Sequence, residues 1–240
     1  MKKLIIFVMV YAFGNITAQT TINKSFSTTK NQNISLKFDY PQLIKISTWD
    51  KDEVQISGTV NINDNENNQA FQIKESKEEN TLVIEGNISE MDKIPHRITV
   101  HKGNEKLTFK TKEDYQQYSK ANGVTFNKMS DGIEMNIELE IKVPKSLKTQ
   151  IEAKYGLVEV KNFGGEINVN AIYGGIDATI LEKNTGKLSA ETYYGQIYSN
   201  LETKFAGKDS DDFHTLVTTT LGNGPQYSLE SKYGNIYLRK

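Results

Sequence analysis

Residues 153–180 read AKYGLVEVKNFGGEINVNAIYGGIDATI. Tyr-Gly occurs twice in this stretch, at 155/156 and 173/174, and alternating apolar and polar residues follow each pair. The unit returns as TYYGQIYS from Thr192 and as SKYGNIYL from Ser231, with Tyr-Gly at 194/195 and 233/234. The pairs are separated by 18, 21 and 39 residues, the last close to two periods. Weaker echoes, NFGGEINV from Asn162 and NTGKLSA from Asn184, place further turns between the first copies, so the chain turns every 9 to 12 residues.

After each turn the apolar residues fall on one face. Val158 and Val160 flank Glu159, and Ile167, Val169 and Ala171 alternate with Asn168 and Asn170. Ile176, Ala178 and Ile180 alternate with Asp177 and Thr179, Leu188 and Ala190 flank Ser189, and Ile236 and Leu238 flank Tyr237. A short strand of this kind cannot bury its apolar side alone and must stack on copies of itself. The reading is therefore all-β: a right-handed β-solenoid, or single-stranded β-helix, with about 20 residues per turn and rungs about 4.8 Å apart. It predicts Val158, Ile176 and Ile197 in one interior column. Glycine at each corner supplies φ > 0, and the tyrosine before it stacks on the tyrosine one turn away. The rival architecture is a β-sandwich of hairpins, signalled by Asn122-Gly123 and Asn223-Gly224.

Working outward, strand patterning continues toward the N-terminus. From Ile133, IEMNIELEIKV keeps a period of two over eleven residues, with Ile133, Met135, Ile137, Leu139, Ile141 and Val143 on one face. ISLKF from Ile34, LIKIS from Leu43, VQISGTVNI from Val54, FQIKE from Phe71 and TLVIEGNI from Thr81 read as further strands. Four segments result: an export signal over 1–18, an N-terminal β segment over 19–90 that starts the solenoid, an irregular insertion over 91–130, and the repeat-bearing solenoid over 131–240. The insertion holds one short surface helix, Thr111 to Asn122, capped by Thr111 and stopped at Gly123.

The export signal is read from Met1-Lys2-Lys3, the apolar run Leu4 to Phe13, and the small residues before Gln19. Cleavage is expected after Ala18, leaving 27 basic against 30 acidic residues. That near-neutral balance has no long basic run and disfavours nucleic-acid binding. The run from Leu4 is too short to span a bilayer, and no later run reaches the roughly 18 apolar residues a membrane helix needs, so no transmembrane anchor is expected. The chain has no cysteine, which excludes thiol catalysis, thiolate metal sites, disulfides and a lipid-bearing cysteine. The expectation is an exported protein of the periplasm, cell surface or medium.

The stretches YGLVEVKNFGGEINVNAIYGGIDA from Tyr155, LIKISTWDKDEVQISGTV from Leu43 and IKVPKSLKTQIEAKYG from Ile141 carry a family resemblance. They resemble the "putative adhesin" families, secreted bacterial β-solenoid domains of unknown function common in the Bacteroidetes group. The resemblance touches residues 33–62 and 133–240 and breaks at the insertion. It implies a cell-envelope or surface protein with an adhesive role. The family has no established catalytic residues to carry over.

Chemistry-bearing patterns are sparse. His96, His101 and His214 form no metal-ligand spacing, and no nucleophile elbow, phosphate loop or calcium loop is present. No cofactor, metal or catalytic residue is assigned. Tyr193, Tyr198 and Tyr237 are the candidate ligand-binding residues; Tyr198 and Tyr237 are expected to point outward, and exposed aromatics in a row stack on sugar rings or on a partner protein. The partner expected is a glycan or an envelope protein. The function read from the sequence is a non-catalytic binding scaffold. The alternative is a carbohydrate-active enzyme using surface carboxylates, with Glu159 and Asp177 one above the other on adjacent rungs.

Overall fold

The longest alternation in the sequence becomes a central strand, and the rest of the architecture can be placed from it. The computed structural model describes residues 20–103, 105–126, 128–210 and 213–240; the export signal read at 1–18 lies outside the described residues. The first strands are β1 (Thr20–Ser27), β2 (Asn33–Phe38), β3 (Leu43–Trp49), β4 (Glu53–Ile62), β5 (Phe71–Glu78) and β6 (Thr81–Ile88). Then come β7 (Arg97–Lys102), β8 (Glu105–Phe109), helix α1 (Lys112–Asn122) and β9 (Met129–Gly132). The C-terminal half holds β10 (Met135–Pro144), β11 (Thr149–Ala153), β12 (Leu157–Val160), β13 (Ile167–Ala171), β14 (Ile176–Thr179) and β15 (Lys187–Thr192). It ends with β16 (Ile197–Ser199), β17 (Ala206–Ser210), β18 (Thr215–Thr220), β19 (Tyr227–Ser231) and β20 (Ile236–Arg239).

These strands form three sheets. The first runs β1-β4-β10-β3-β12-β14-β20-β16 and the second β17-β18-β15-β19-β13-β11-β2-β6-β5. The third, β8-β7-β9, is a small antiparallel sheet. Inward residues of the two large sheets share one hydrophobic core, which includes Ile44, Val158, Ile176 and Ile236 from the first and Leu36, Ile151, Val169 and Leu229 from the second. All eight are 0–1% exposed. Each contributes roughly 1.5–3 kcal/mol of burial, and with no disulfide available this core carries the stability.

The β-solenoid expected from the repeat is not the fold. Both large sheets are mixed: β1, β4 and β10 pair antiparallel, as do β5 with β6 and β18 with β15 and β17. They are open, with edge strands at both ends. Neighbours also do not follow chain order. The fourth Tyr-Gly copy lies between the second and third, with β20 between β14 and β16 and β19 between β13 and β15. A coil adds each new strand beyond the last one, whereas this chain comes back and inserts its final pair. The interval of 39 residues, read as two periods, instead holds the β17–β18 pair, which extends the second sheet antiparallel to β15. Val158, Ile176 and Ile197 do align in register, with Ile236 between the last two. Alignment of like residues therefore does not require a coil.

Residues 91–130 hold more regular structure than the irregular insertion expected. β7 and β8 pair antiparallel, and β9 closes on the other side of β7. In α1, Thr111 accepts from the Asp114 amide and the Asp114 carboxylate accepts from the Thr111 amide, a reciprocal cap. Gly123, at φ 59°, ends the helix in the left-handed region. Phe109, Tyr115, Tyr118 and Phe126 pack under it, with ring centroids 5.2–6.4 Å apart.

Candidate binding surface

The Tyr-Gly corners meet in space. Backbone from one corner lies directly on the next, and this is what the glycines permit. A Cβ on Gly174 would sit 1.5 Å from the Gly156 carbonyl oxygen, one on Gly234 2.1 Å from that of Gly174, and one on Gly195 2.0 Å from that of Gly234. Only Gly156 of the four has positive φ, at 80°, so close approach rather than a left-handed turn demands glycine at the other three. Two buried hydroxyls tie the later corners. Ser231 donates to the Gly174 carbonyl at 2.8 Å and accepts from the Gly234 amide at 2.9 Å. Thr192 donates to the Gly234 carbonyl at 2.9 Å and accepts from the Gly195 amide at 3.2 Å.

Stacked glycines bring the preceding tyrosines into a ladder. Tyr155 and Tyr173 have centroids 5.3 Å apart, Tyr173 and Tyr233 5.2 Å, and Tyr233 and Tyr194 5.0 Å, with planes within 16° of parallel. Tyr40 extends the row beyond Tyr155 at 6.1 Å, and Phe213 beyond Tyr194 at 5.9 Å. Neither of these end members precedes a glycine, so the motif did not reveal them. The four repeat tyrosines were read as structural, although they remain 42–58% exposed.

Tyr198 and Tyr237 form a second aromatic group, on the outer side of the first sheet. They are register partners on β16 and β20 and stack at 5.2 Å with 12° between planes. The Tyr198 hydroxyl donates to Gln196, and Arg239 lies over the Tyr237 ring at 5.3 Å. β16 is the edge strand of its sheet, so Tyr198, 46% exposed, presents the end of this stack to solvent. Tyr193 does not join them. It follows β15 of the second sheet and stacks on His214 at 4.8 Å. A hydrogen bond to the Glu191 carboxylate raises its phenol pKa, and Glu191 also pairs with His214 at 2.7 Å.

The carboxylates of the enzyme alternative do lie side by side, Glu159 opposite Asp177 in register. Each is matched by a cation. Arg239 Nε donates to both Asp177 oxygens at 2.7 and 2.9 Å, and Lys161 pairs with Glu159 at 2.8 Å. The hydrogen bond that Lys161 donates to Glu159 raises the Lys161 pKa, and donation to Asp177 does the same for Arg239. Trp49 anchors its turn, donating to the Glu53 carbonyl at 2.8 Å with the Lys51 ammonium 4.6 Å from the ring centroid. Among the described residues no group of three or more metal-ligating side chains converges.

No protein-family profile and no curated protein matches the chain. Two solved structures resemble it. One is a "putative cell adhesion protein" from Clostridium sporogenes, with 14% identity over 92% of this chain and 99% of that one and a TM-score of 0.50. At that identity the likeness is one of fold. The other is a "putative adhesin" from Bacteroides fragilis, with 12% identity over 92% and 98% of the two chains and a TM-score of 0.26. No helix among the described residues is long and apolar enough to cross a membrane.

Proposed function

We propose that this is an exported, non-catalytic protein of the cell envelope or surface that binds its partner through the outer faces of its sheets. The observation that carries this reading is the Tyr198–Tyr237 stack, whose outer ring faces solvent at a sheet edge. An aromatic ring held rigid on a sheet offers contact area at low entropic cost. Gln196, Asn235 and Arg239 around it supply hydrogen-bonding groups, the mixture that suits a sugar ring or a polar protein surface. The fold shared with the "putative cell adhesion protein" of Clostridium sporogenes supports an adhesive role. The Asp177–Arg239 pair supports a non-catalytic role, since a carboxylate held by a guanidinium is poorly placed to exchange protons with a substrate.

The test is a screen of the full chain against immobilised glycans and envelope proteins, repeated with Tyr198→Ala and Tyr237→Ala. Comparable loss of one binding partner in both variants, with unchanged thermal midpoints, supports the reading. Undiminished binding in two folded variants removes this surface from consideration. Cell fractionation with an antibody to the chain tests export, and a purely cytoplasmic signal overturns it.

A further inference from the structure

We propose that the ladder Tyr155–Tyr173–Tyr233–Tyr194 is a binding edge for an extended polysaccharide, laid across the strands with one sugar ring per tyrosine. This is a different surface from the Tyr198–Tyr237 stack and does not depend on it. The argument starts from pitch. The rings repeat every 5.0–5.3 Å, because each sits on its own strand and strands lie about 4.8 Å apart. A pyranose chain with equatorial linkages advances by close to the same distance per residue. A rigid array and a stiff polymer of matched repeat stay in register over many contacts.

Orientation supplies the chemistry. The faces of the inner rings are occupied by one another, so solvent meets their edges and hydroxyls. A sugar therefore cannot slot between two rings. It lies along the row, exchanging one hydrogen bond per rung with a phenol. The row of residues immediately before the tyrosines completes the edge. Lys154 and Lys232 each hold an ammonium by a ring of the ladder, 5.7 Å from Tyr155 and 5.5 Å from Tyr233. Their strands, β11 and β19, flank β13, so the two cations are two rungs apart, about 10 Å. That places one strong donor per disaccharide. Among the described residues no carboxylate lies within ion-pair distance of either lysine. Between them Ile172, 36% exposed, offers an apolar spot to the C–H face of a ring. Beside the Tyr155 end a groove lined by Asp39, Glu85, Glu152 and Asn170 adds acceptors for sugar hydroxyls, with Lys37 as a further donor.

Each rung contributes little, and the sum grows with chain length, so a single sugar is expected to bind too weakly to detect. The experiment is calorimetry on the full chain with three series of oligomers of two to six rings: β-1,4-linked glucose, chitin and hyaluronan. For at least one series the hexasaccharide binds and the affinity rises by about tenfold or more from the shortest to the longest member. Failure of all three hexasaccharides to bind, or binding that does not depend on length, overturns the proposal. Two variants place the site. The triple change Tyr155→Phe, Tyr173→Phe and Tyr233→Phe keeps the stack and removes three of the four hydroxyls, while Lys154→Met with Lys232→Met keeps the aliphatic stems and removes the ammonium donors. Each is expected to weaken the hexasaccharide about tenfold without lowering the thermal midpoint. Full binding in both overturns the assignment to the ladder. Loss in Tyr198→Ala instead moves the ligand to the first sheet, which overturns this inference and leaves the surface-binding reading standing.

Discussion

The rings of Tyr173 and Tyr233 lie 5.2 Å apart and 6° from parallel, although one belongs to the second copy of the repeat and the other to the fourth. Tyr233 has Tyr194 on its other side at 5.0 Å. The ladder is thus built from the spatial order of the strands, not from their order in the chain. A double-mutant cycle with Tyr173→Ala and Tyr233→Ala should return a coupling of about 0.5–1.5 kcal/mol. Urea unfolding of the four proteins measures it, and strict additivity would show that the stack contributes only buried area.

Glycine at the ladder's corners is required by contact. Gly174→Ala drives a methyl group against the Gly156 carbonyl oxygen, where only 1.5 Å is available. The two backbones must part, opening the pairing of β12 with β14. The expected cost is about 3 kcal/mol or more. Gly132→Ala, at a position with nothing within 4 Å, serves as the control and should stay close to the parent. Chemical denaturation of both variants decides the matter.

Ser231 is buried and its hydroxyl bridges two corners, donating to Gly174 and accepting from Gly234. Ser231→Ala leaves both backbone groups short of a partner and should cost about 1–3 kcal/mol. Ala153 and Ala171 hold the equivalent positions in the first two copies, so those corners close without a hydroxyl. Ser231→Thr should recover part of the loss, since Thr192 makes the same pair of bonds one copy away. The midpoint shift of Ser231→Ala against Ser231→Thr reads this out.

Tyr227 is buried and donates to the Phe163 carbonyl, and burial pushes its phenol up to about 12 from 10. In the unfolded chain it releases its proton near pH 10, while in the folded protein it keeps it to higher pH. The stabilisation is therefore complete below about pH 10 and is lost as pH rises toward 12, with about 3 kcal/mol at stake. Tyr227→Phe should be less stable at neutral pH through the missing hydrogen bond, and should lose less on going from pH 9 to 12. Urea midpoints across that range for both proteins test the sign, and parallel curves would reject it.

Much of the local structure was legible because two signals agreed. The alternation from Ile133 to Val143 gave a strand with one wet face, and the pattern Thr111-x-x-Asp114 with Gly123 gave a capped helix. The like residues of the four copies were also legible as partners. Their order was not. Corners that share Tyr-Gly and tolerate each other's backbone are interchangeable, so periodicity cannot say which copy lies beside which. The long interval before the fourth copy looked like a skipped repeat, when it held the antiparallel extension of β15 by β18. At the surface, Tyr198 and Tyr237 were found because both face outward two residues into a strand. Tyr193 was read with them, but it follows the end of β15 and stacks on His214 instead. Phe213 and Tyr40 join the ladder through tertiary placement alone, which no local motif encodes.

The place of β19 and β20 in the middle of their sheets has a consequence for how the protein is made. β15 and β16 leave the ribosome before the two strands that must separate them from β13 and β14. Until those last strands arrive, the third copy has no parallel neighbour and the second presents an unoccupied seam. Residues 227–239 thus act as a keystone: β15 and β16 gain their parallel neighbours, and the runs on either side become continuous, only when this segment threads between them.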